Sequence, residues 1–232
     1  MSPPATAPRP SVPPPSSLGR SAADKALFWD RMARKYAADP IADPAGYEHT
    51  LRRVQGLLSA GDRVLELGCG TGSTALRLAP HTRRYLATDV SPEMIAIARE
   101  KLAHQPTPQL RFAVADAEAH GLGDATFDAV LAFNLLHLTT DLDRALGTVV
   151  QALRPGGLFI SKTPCIGEMN PLIGQVVAPL LRLIGKAPAL SCFNEDQLQA
   201  ALARRGLTVI ATERHGTRRK DMRAFLVARR PG

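Results

Sequence analysis

Residues 64–72 read Val64-Leu65-Glu66-Leu67-Gly68-Cys69-Gly70-Thr71-Gly72. A short apolar run ends in three alternate glycines, and a helical pattern takes over at residues 71–79. Glycines between a strand and a helix let the chain turn tightly and let a ligand approach the main chain. The helix beyond them offers free N–H groups to an anion. The spacing is G-x-G-x-G. A dinucleotide fingerprint requires glycine or alanine at position 73, where Ser73 stands. No Lys-Ser or Lys-Thr pair follows the glycines, which excludes a phosphate-binding P-loop.

On both sides of this turn the chain alternates between two periodicities. Apolar runs at 63–67, 85–89, 110–115, 127–133 and 158–162 predict strands. Helices are predicted at 92–103, 141–153 and 194–205. Ser91-Pro92 opens the first of these, Pro155-Gly156-Gly157 stops the second, and an Asn194/Gln197 capping box opens the third. Two final strands, 207–212 and 223–228, are joined by residues 214–221, too short a link for a crossover helix, so they run antiparallel. Strands and helices in alternation build a doubly wound α/β domain, a mostly parallel sheet covered on both faces. Helical stretches at 22–38 and 46–59 precede it, with Pro40 and Pro44 expected to break the first.

The carboxylates sharpen the ligand. Glu66 stands just before the glycines; a negative charge there repels a pyrophosphate and attracts an ammonium group. S-adenosylmethionine (SAM) carries an α-amino group, an α-carboxylate and a sulfonium, and no phosphate. Asp89 ends the second strand, where a carboxylate accepts both ribose hydroxyls of a bound nucleoside. Asp116 ends the third strand beside Ala117, placed for the adenine amino group, with Met94 or Ile95 as apolar cover. Cys69 in the turn and Val90 after Asp89 complete this side of the expected cofactor site.

Residues 64–72, together with Asp89, Asp116, Phe127-Asp128-Ala129-Val130 and Leu153-Arg154-Pro155-Gly156-Gly157, resemble the class I SAM-dependent methyltransferases, in particular the methyltransferase-11 or UbiE-like branch. The similarity covers about residues 51–162. It implies seven strands in the order 3-2-1-4-5-7-6 with one antiparallel strand inserted last. It also implies cofactor roles for Glu66, Gly68, Gly70, Gly72, Asp89 and Asp116. After the fourth strand the chain reads Asn134-Leu135-Leu136-His137, not the Asn-Pro-Pro-Tyr of exocyclic-amine methyltransferases. His137 is the candidate general base for an acceptor that must lose a proton. Asn134 is the candidate contact to the methionine part of SAM.

Composition bounds the rest. The chain has 232 residues, 45% of them hydrophobic and 5% aromatic, enough for one core but not two enzyme domains. Residues 1–21 are rich in Pro, Ser and Ala and are expected to form a tail outside the core; residues 22–232 are expected to form a single domain. The net charge is +8, concentrated late in the chain. No aromatics are interleaved with the cations of residues 214–223, so nucleic acid is not the expected partner. Three cysteines at no metal-like spacing predict neither a disulfide framework nor a metal site. A cytoplasmic location is expected. Residues 163–191, apolar nearly all round, are expected to be a substrate lid acting with Phe28, Trp29 and Tyr36 over a small apolar acceptor. Peripheral membrane contact by that segment stays open, as do two other functions: a SAM-binding partner without catalysis, and a nucleic-acid methyltransferase using the basic C-terminal surface.

Overall fold

The computed structural model describes residues 20–119, 121–122, 126–168, 190–217 and 223–232. Most of the expected tail and of the expected lid, including residues 169–189, lies outside them, as do residues 218–222 of the last connection.

Seven strands form one sheet: β1 (Arg63–Leu67), β2 (Arg84–Asp89), β3 (Leu110–Val114), β4 (Phe127–Phe133), β5 (Leu153–Pro164), β6 (Thr208–Glu213) and β7 (Arg223–Arg229). Their order is β3-β2-β1-β4-β5-β7-β6. The first five pair in parallel, and β7 is antiparallel to both β5 and β6. The sequence expectation of a doubly wound sheet with an antiparallel insertion is met.

Alternation along the strands divides the core between two faces. Leu65, Leu67, Val130, Ala132 and Phe159 point to one side, where α5 (Leu142–Ala152) brings Leu146 and Val149, and α6 (Glu195–Arg204) brings Leu198 and Leu202. Val64, Ala129, Leu131 and Ile160 point to the other. There they meet α2 (Pro44–Gln55) through Leu51 and Val54, α3 (Ser73–Leu78) through Leu76 and Leu78, and α4 (Pro92–His104) through Ile95 and Ala98. Each fully buried aliphatic side chain contributes about 1.5–3 kcal/mol. The remaining helix among the described residues, α1 (Arg20–Ala38), packs on α4 rather than on the sheet.

Three boundaries differ from the sequence reading. Pro44, expected to break a helix, opens one: Asp43 caps α2 by accepting from the Gly46 N–H, and proline fits a first helical position because its missing donor has no role there. The helix expected at 71–79 is shorter, because Gly72 caps it in a left-handed conformation. Finally, β5 begins at Leu153, five residues before the expected start. Leu153 pairs with Phe127 and Leu158 with Ala129, so Arg154 to Gly157 form a bulge inside the strand. The bulge is held by Gly156 N–H to Arg230 O and Arg230 N–H to Gly157 O, both 2.9 Å. Pro155 and Gly156 stop the helical pattern, as read, but the strand absorbs them.

Candidate active site

The carboxyl ends of β1, β2 and β4 and the residues just past β3 surround a cavity of about 390 Å³. All the sequence-predicted cofactor residues line it except Gly72 and Ile95, the alternative to Met94, which lies in the core; His137 lines it too. The glycines divide the work. Gly68, Gly70 and Gly72 all have positive φ, at 65°, 53° and 75°. At Gly72 an added Cβ falls 2.6 Å from Phe112 Cζ and 2.8 Å from Ala98 Cβ, so this glycine lets α4 and β3 close behind the turn. At Gly70 the nearest atom is Tyr36 Cε1, at 3.7 Å. That glycine leaves open space in the cavity itself.

Glu66 is 2% exposed and accepts the Tyr85 hydroxyl at 2.8 Å. Burial pushes its carboxyl up to about 7, against the Tyr85 bond and with a further push from Asp89. Asp89 accepts the Gly70 N–H at 2.8 Å on one oxygen and the Ser91 N–H at 2.9 Å on the other. These bonds tie the glycine turn to the end of β2. Burial raises the Asp89 pKa and the two N–H groups oppose it. The Cys69 thiol is buried in the turn and pushed well up by that burial, so it remains a thiol. Val90 is half-buried, and Met94 and Ala117 are buried, giving the cavity its apolar wall.

Asp116 lies two residues past β3 and is not alone. Both its oxygens accept from Lys25 of α1, at 3.0 and 2.9 Å, and the same ammonium reaches Glu118 Oε1 at 2.9 Å. Glu118 also accepts the Thr140 N–H at 2.8 Å. Farther along α1, Trp29 and Tyr36 enter the cavity wall, while Phe28 packs edge-on against Trp29 at 5.2 Å. Asp30 accepts the Ser91 hydroxyl at 2.5 Å and the Glu93 N–H at 3.0 Å. The sequence reading named the aromatics of this helix but missed Lys25, Asp30 and Glu118. Glu118 carried a signal, a second acid two residues from Asp116; Lys25 carried none, since its partner is 91 residues away.

Past β4, Asn134 has φ +51° and donates its N–H to Lys162 O at 2.7 Å. Asparagine is among the few side chains that tolerate this region. His137 sits in a 3-10 turn, Leu136–Leu138, and its Nδ1 lies 3.2 Å from Thr163 Oγ1. Burial pulls its pKa down to about 4, so the ring is neutral near pH 7. The described ends of the expected lid are anchored at this rim. Pro164 lines the cavity, and Ser191 bonds to the backbone carbonyls of His137 and Thr139.

A family model described as a methyltransferase domain matches residues 64–157. Among curated relatives, the chain is 33% identical over 178 residues to a malonyl-[acyl-carrier protein] O-methyltransferase of Geobacter sulfurreducens, covering 73% of this chain and 64% of that one. It is 27% identical over 190 residues to the O-methyltransferase cnsE of Penicillium expansum, covering 79% and 64%. The chain thus spans less than two thirds of the length of either relative. An S-adenosylmethionine-dependent methyltransferase from Mesorhizobium loti matches in structure with a TM-score of 0.66 at 25% identity, over 81% of this chain and 99% of that one. The glycine turn, the sheet order and the match over residues 64–157 identify a methyltransferase domain in this chain, as its resemblance to the class I SAM-dependent methyltransferases implies.

Proposed function

We propose that the chain transfers a methyl group from SAM to a small acceptor with an apolar body. The observation that carries this reading is one cavity in which Glu66, Asp89 and Asp116 lie at or beyond successive strand ends around an open glycine turn. The donor set fits SAM group by group. Glu66 would hold the ammonium, Asp89 would use its remaining lone pairs for the ribose hydroxyls, and Asp116 would meet the adenine amino group, with Lys25 bound to its carboxylate. Val90, Met94 and Ala117 cover the ring, and Asn134 borders the methionine part.

SAM supplies a methyl carbon on a sulfonium, a leaving group that needs no further activation. With SAM bound, an acceptor's electron pair would take that carbon, and the carbon–sulfur pair would return to sulfur. The chain's own contribution is positioning and exclusion of water. His137, neutral near pH 7, takes the proton of an acceptor that has one to lose. Among the described residues no helix is long and apolar enough to cross a membrane.

Calorimetry tests the cofactor: SAM and S-adenosylhomocysteine bind and NAD does not. NAD binding without SAM binding overturns the reading. Mass spectrometry of acceptor pools incubated with the protein and SAM then reads the gain of one methyl group.

A further inference from the structure

At the opposite end of the sheet from the candidate cofactor site lies a larger cavity, of about 570 Å³. It opens where β1, β2 and β3 begin, and Arg63, Arg83, Arg84 and Arg111 line it beside Leu86 and Phe127. Strand β2 runs from Arg84 to Asp89, so roughly 16 Å of strand separates this cavity from the Asp89 carboxylate.

Register puts three of the arginines on one face of the sheet. Arg63 is the partner of Arg84 across β1 and β2, and Arg111 is the partner of Leu86, two residues farther along β2. By alternation all three side with Leu65 and Leu86, on the face where α5 and α6 lie on β4, β5 and β6. Neighbouring strands are about 4.7–4.9 Å apart, and like charges set side by side on them repel. Long stems suit an open sheet face, where they shield the apolar atoms beneath. Glutamine, or cations interspersed with acids, would meet that need without the repulsion.

The acids of this edge are committed elsewhere. Asp62 accepts the Ser59 N–H at 2.8 Å. Asp128 accepts the Arg63 N–H at 2.7 Å and pairs with Arg154 at 2.6 Å. Among the described residues no carboxylate lies within ion-pair distance of any of the four guanidinium groups. Arg111 donates to the carbonyls of Pro108 and Leu110, at 3.3 and 3.2 Å. Arg83, Arg84 and Arg111 are exposed and Arg63 is half-buried, so the charged heads stand at the cavity mouth.

We propose that this cavity is a second binding site, for a small polyanion whose phosphate or carboxylate groups Arg63, Arg84 and Arg111 hold. A guanidinium forks onto two oxygens of either group. The volume falls within the roughly 300–1,000 Å³ of small-molecule sites. The chain's own net charge of +8 opposes a second copy as the occupant. The site takes no part in methyl transfer and does not depend on that reading.

Calorimetry on the full chain at fixed ionic strength tests it, with inorganic tripolyphosphate, citrate and a hexaglutamate peptide as probes. At least one of the two small anions should bind with one-to-one stoichiometry, and the tighter of them identifies the recognised group. Arg84→Gln and Arg111→Gln should each weaken that binding about tenfold, the loss of one charged hydrogen-bonding contact. Both positions are exposed, so these variants keep the fold. Arg31→Gln, on an exposed arginine of α1 outside the cavity, should change nothing. Saturating S-adenosylhomocysteine should leave the affinity unchanged. The proposal is overturned if neither small anion binds, if Arg84→Gln and Arg111→Gln bind like the wild type, or if Arg31→Gln loses as much as they do. Displacement by S-adenosylhomocysteine overturns it too, by placing the anion in the cofactor cavity. Binding of hexaglutamate alone replaces the small ligand with an acidic protein partner.

Discussion

Under the proposed reading, Glu66 is the residue at which burial acts on ligand choice. Its carboxyl is pushed to about 7 by burial, so near neutral pH about half of the ligand-free protein carries a proton there. An ammonium placed beside it favours the charged form, and binding therefore releases that proton. SAM affinity is predicted to rise between pH 5.5 and 7.5, by up to tenfold per unit on the acid side, and Glu66→Gln is predicted to flatten the profile. Calorimetry in buffers of different ionisation enthalpy reads the proton release directly; a pH-independent wild type sinks the role. The stability sign is opposite. A carboxylate whose folded pKa is raised costs nothing below its unfolded value near 4.5, and the cost is complete above about 7. Glu66→Gln should therefore stabilise the ligand-free protein more at pH 8 than at pH 5, in urea titrations at both. Asp89 makes a separate prediction. Charged hydrogen bonds to two ribose hydroxyls are worth about 1.5–3 kcal/mol each. Asp89→Ala should weaken SAM roughly tenfold or more. Unchanged affinity in a folded variant removes Asp89 from the ribose site.

At the scale of elements, the glycine turn separates what a motif says from what packing says. Gly70 and Gly72 look equivalent in sequence and share a positive φ, but they differ in what surrounds them. Alanine in a left-handed conformation costs about 1–2 kcal/mol at either position. At Gly72 the clash with Phe112 and Ala98 adds overpacking of about 1–3 kcal/mol. Gly72→Ala is predicted to lose clearly more stability than Gly70→Ala, while Gly70→Ala loses more SAM affinity. Denaturation midpoints and calorimetry on the pair check both halves, and equal stability losses contradict the division. The same contrast explains which elements were legible. Strands such as β1 and β4 are buried on both faces, so their apolar runs stand out by themselves. The start of β5 was not legible, because Pro155 and Gly156 carry the local signature of a stop and only pairing with β4 and Arg230 turns them into a bulge. Pro44 was read as a breaker for the same reason: its meaning depends on Asp43 capping the next turn.

Across the whole molecule, α1 ties distant parts of the candidate cofactor cavity together. Lys25 reaches the acids beyond β3, Asp30 reaches the start of α4, and Tyr36 stands over the glycine turn. The helix lies on α4, outside the sheet, and its periodicity revealed a helix but not its target, since pairings across 60 to 90 residues leave no local mark. The Lys25 cluster is largely shielded, with side-chain exposures of 12% for Lys25, 13% for Asp116 and 9% for Glu118. One ammonium there holds two carboxylates together, so removing it leaves them facing each other at low solvent access. Lys25→Met is therefore predicted to cost more than Asp116→Asn, which leaves Lys25 its bond to Glu118. The double variant should cost less than the sum of the two singles, with a coupling of about 0.5–3 kcal/mol in urea denaturation. Losing this clamp loosens α1 over the cavity, so Lys25→Met should also release S-adenosylhomocysteine faster in stopped-flow displacement. Additive stability losses together with an unchanged release rate would show that α1 is held by its contacts to α4 and not by Lys25. Additive losses with faster release would place the Lys25 effect in the cofactor contact itself, not in the closure of the helix.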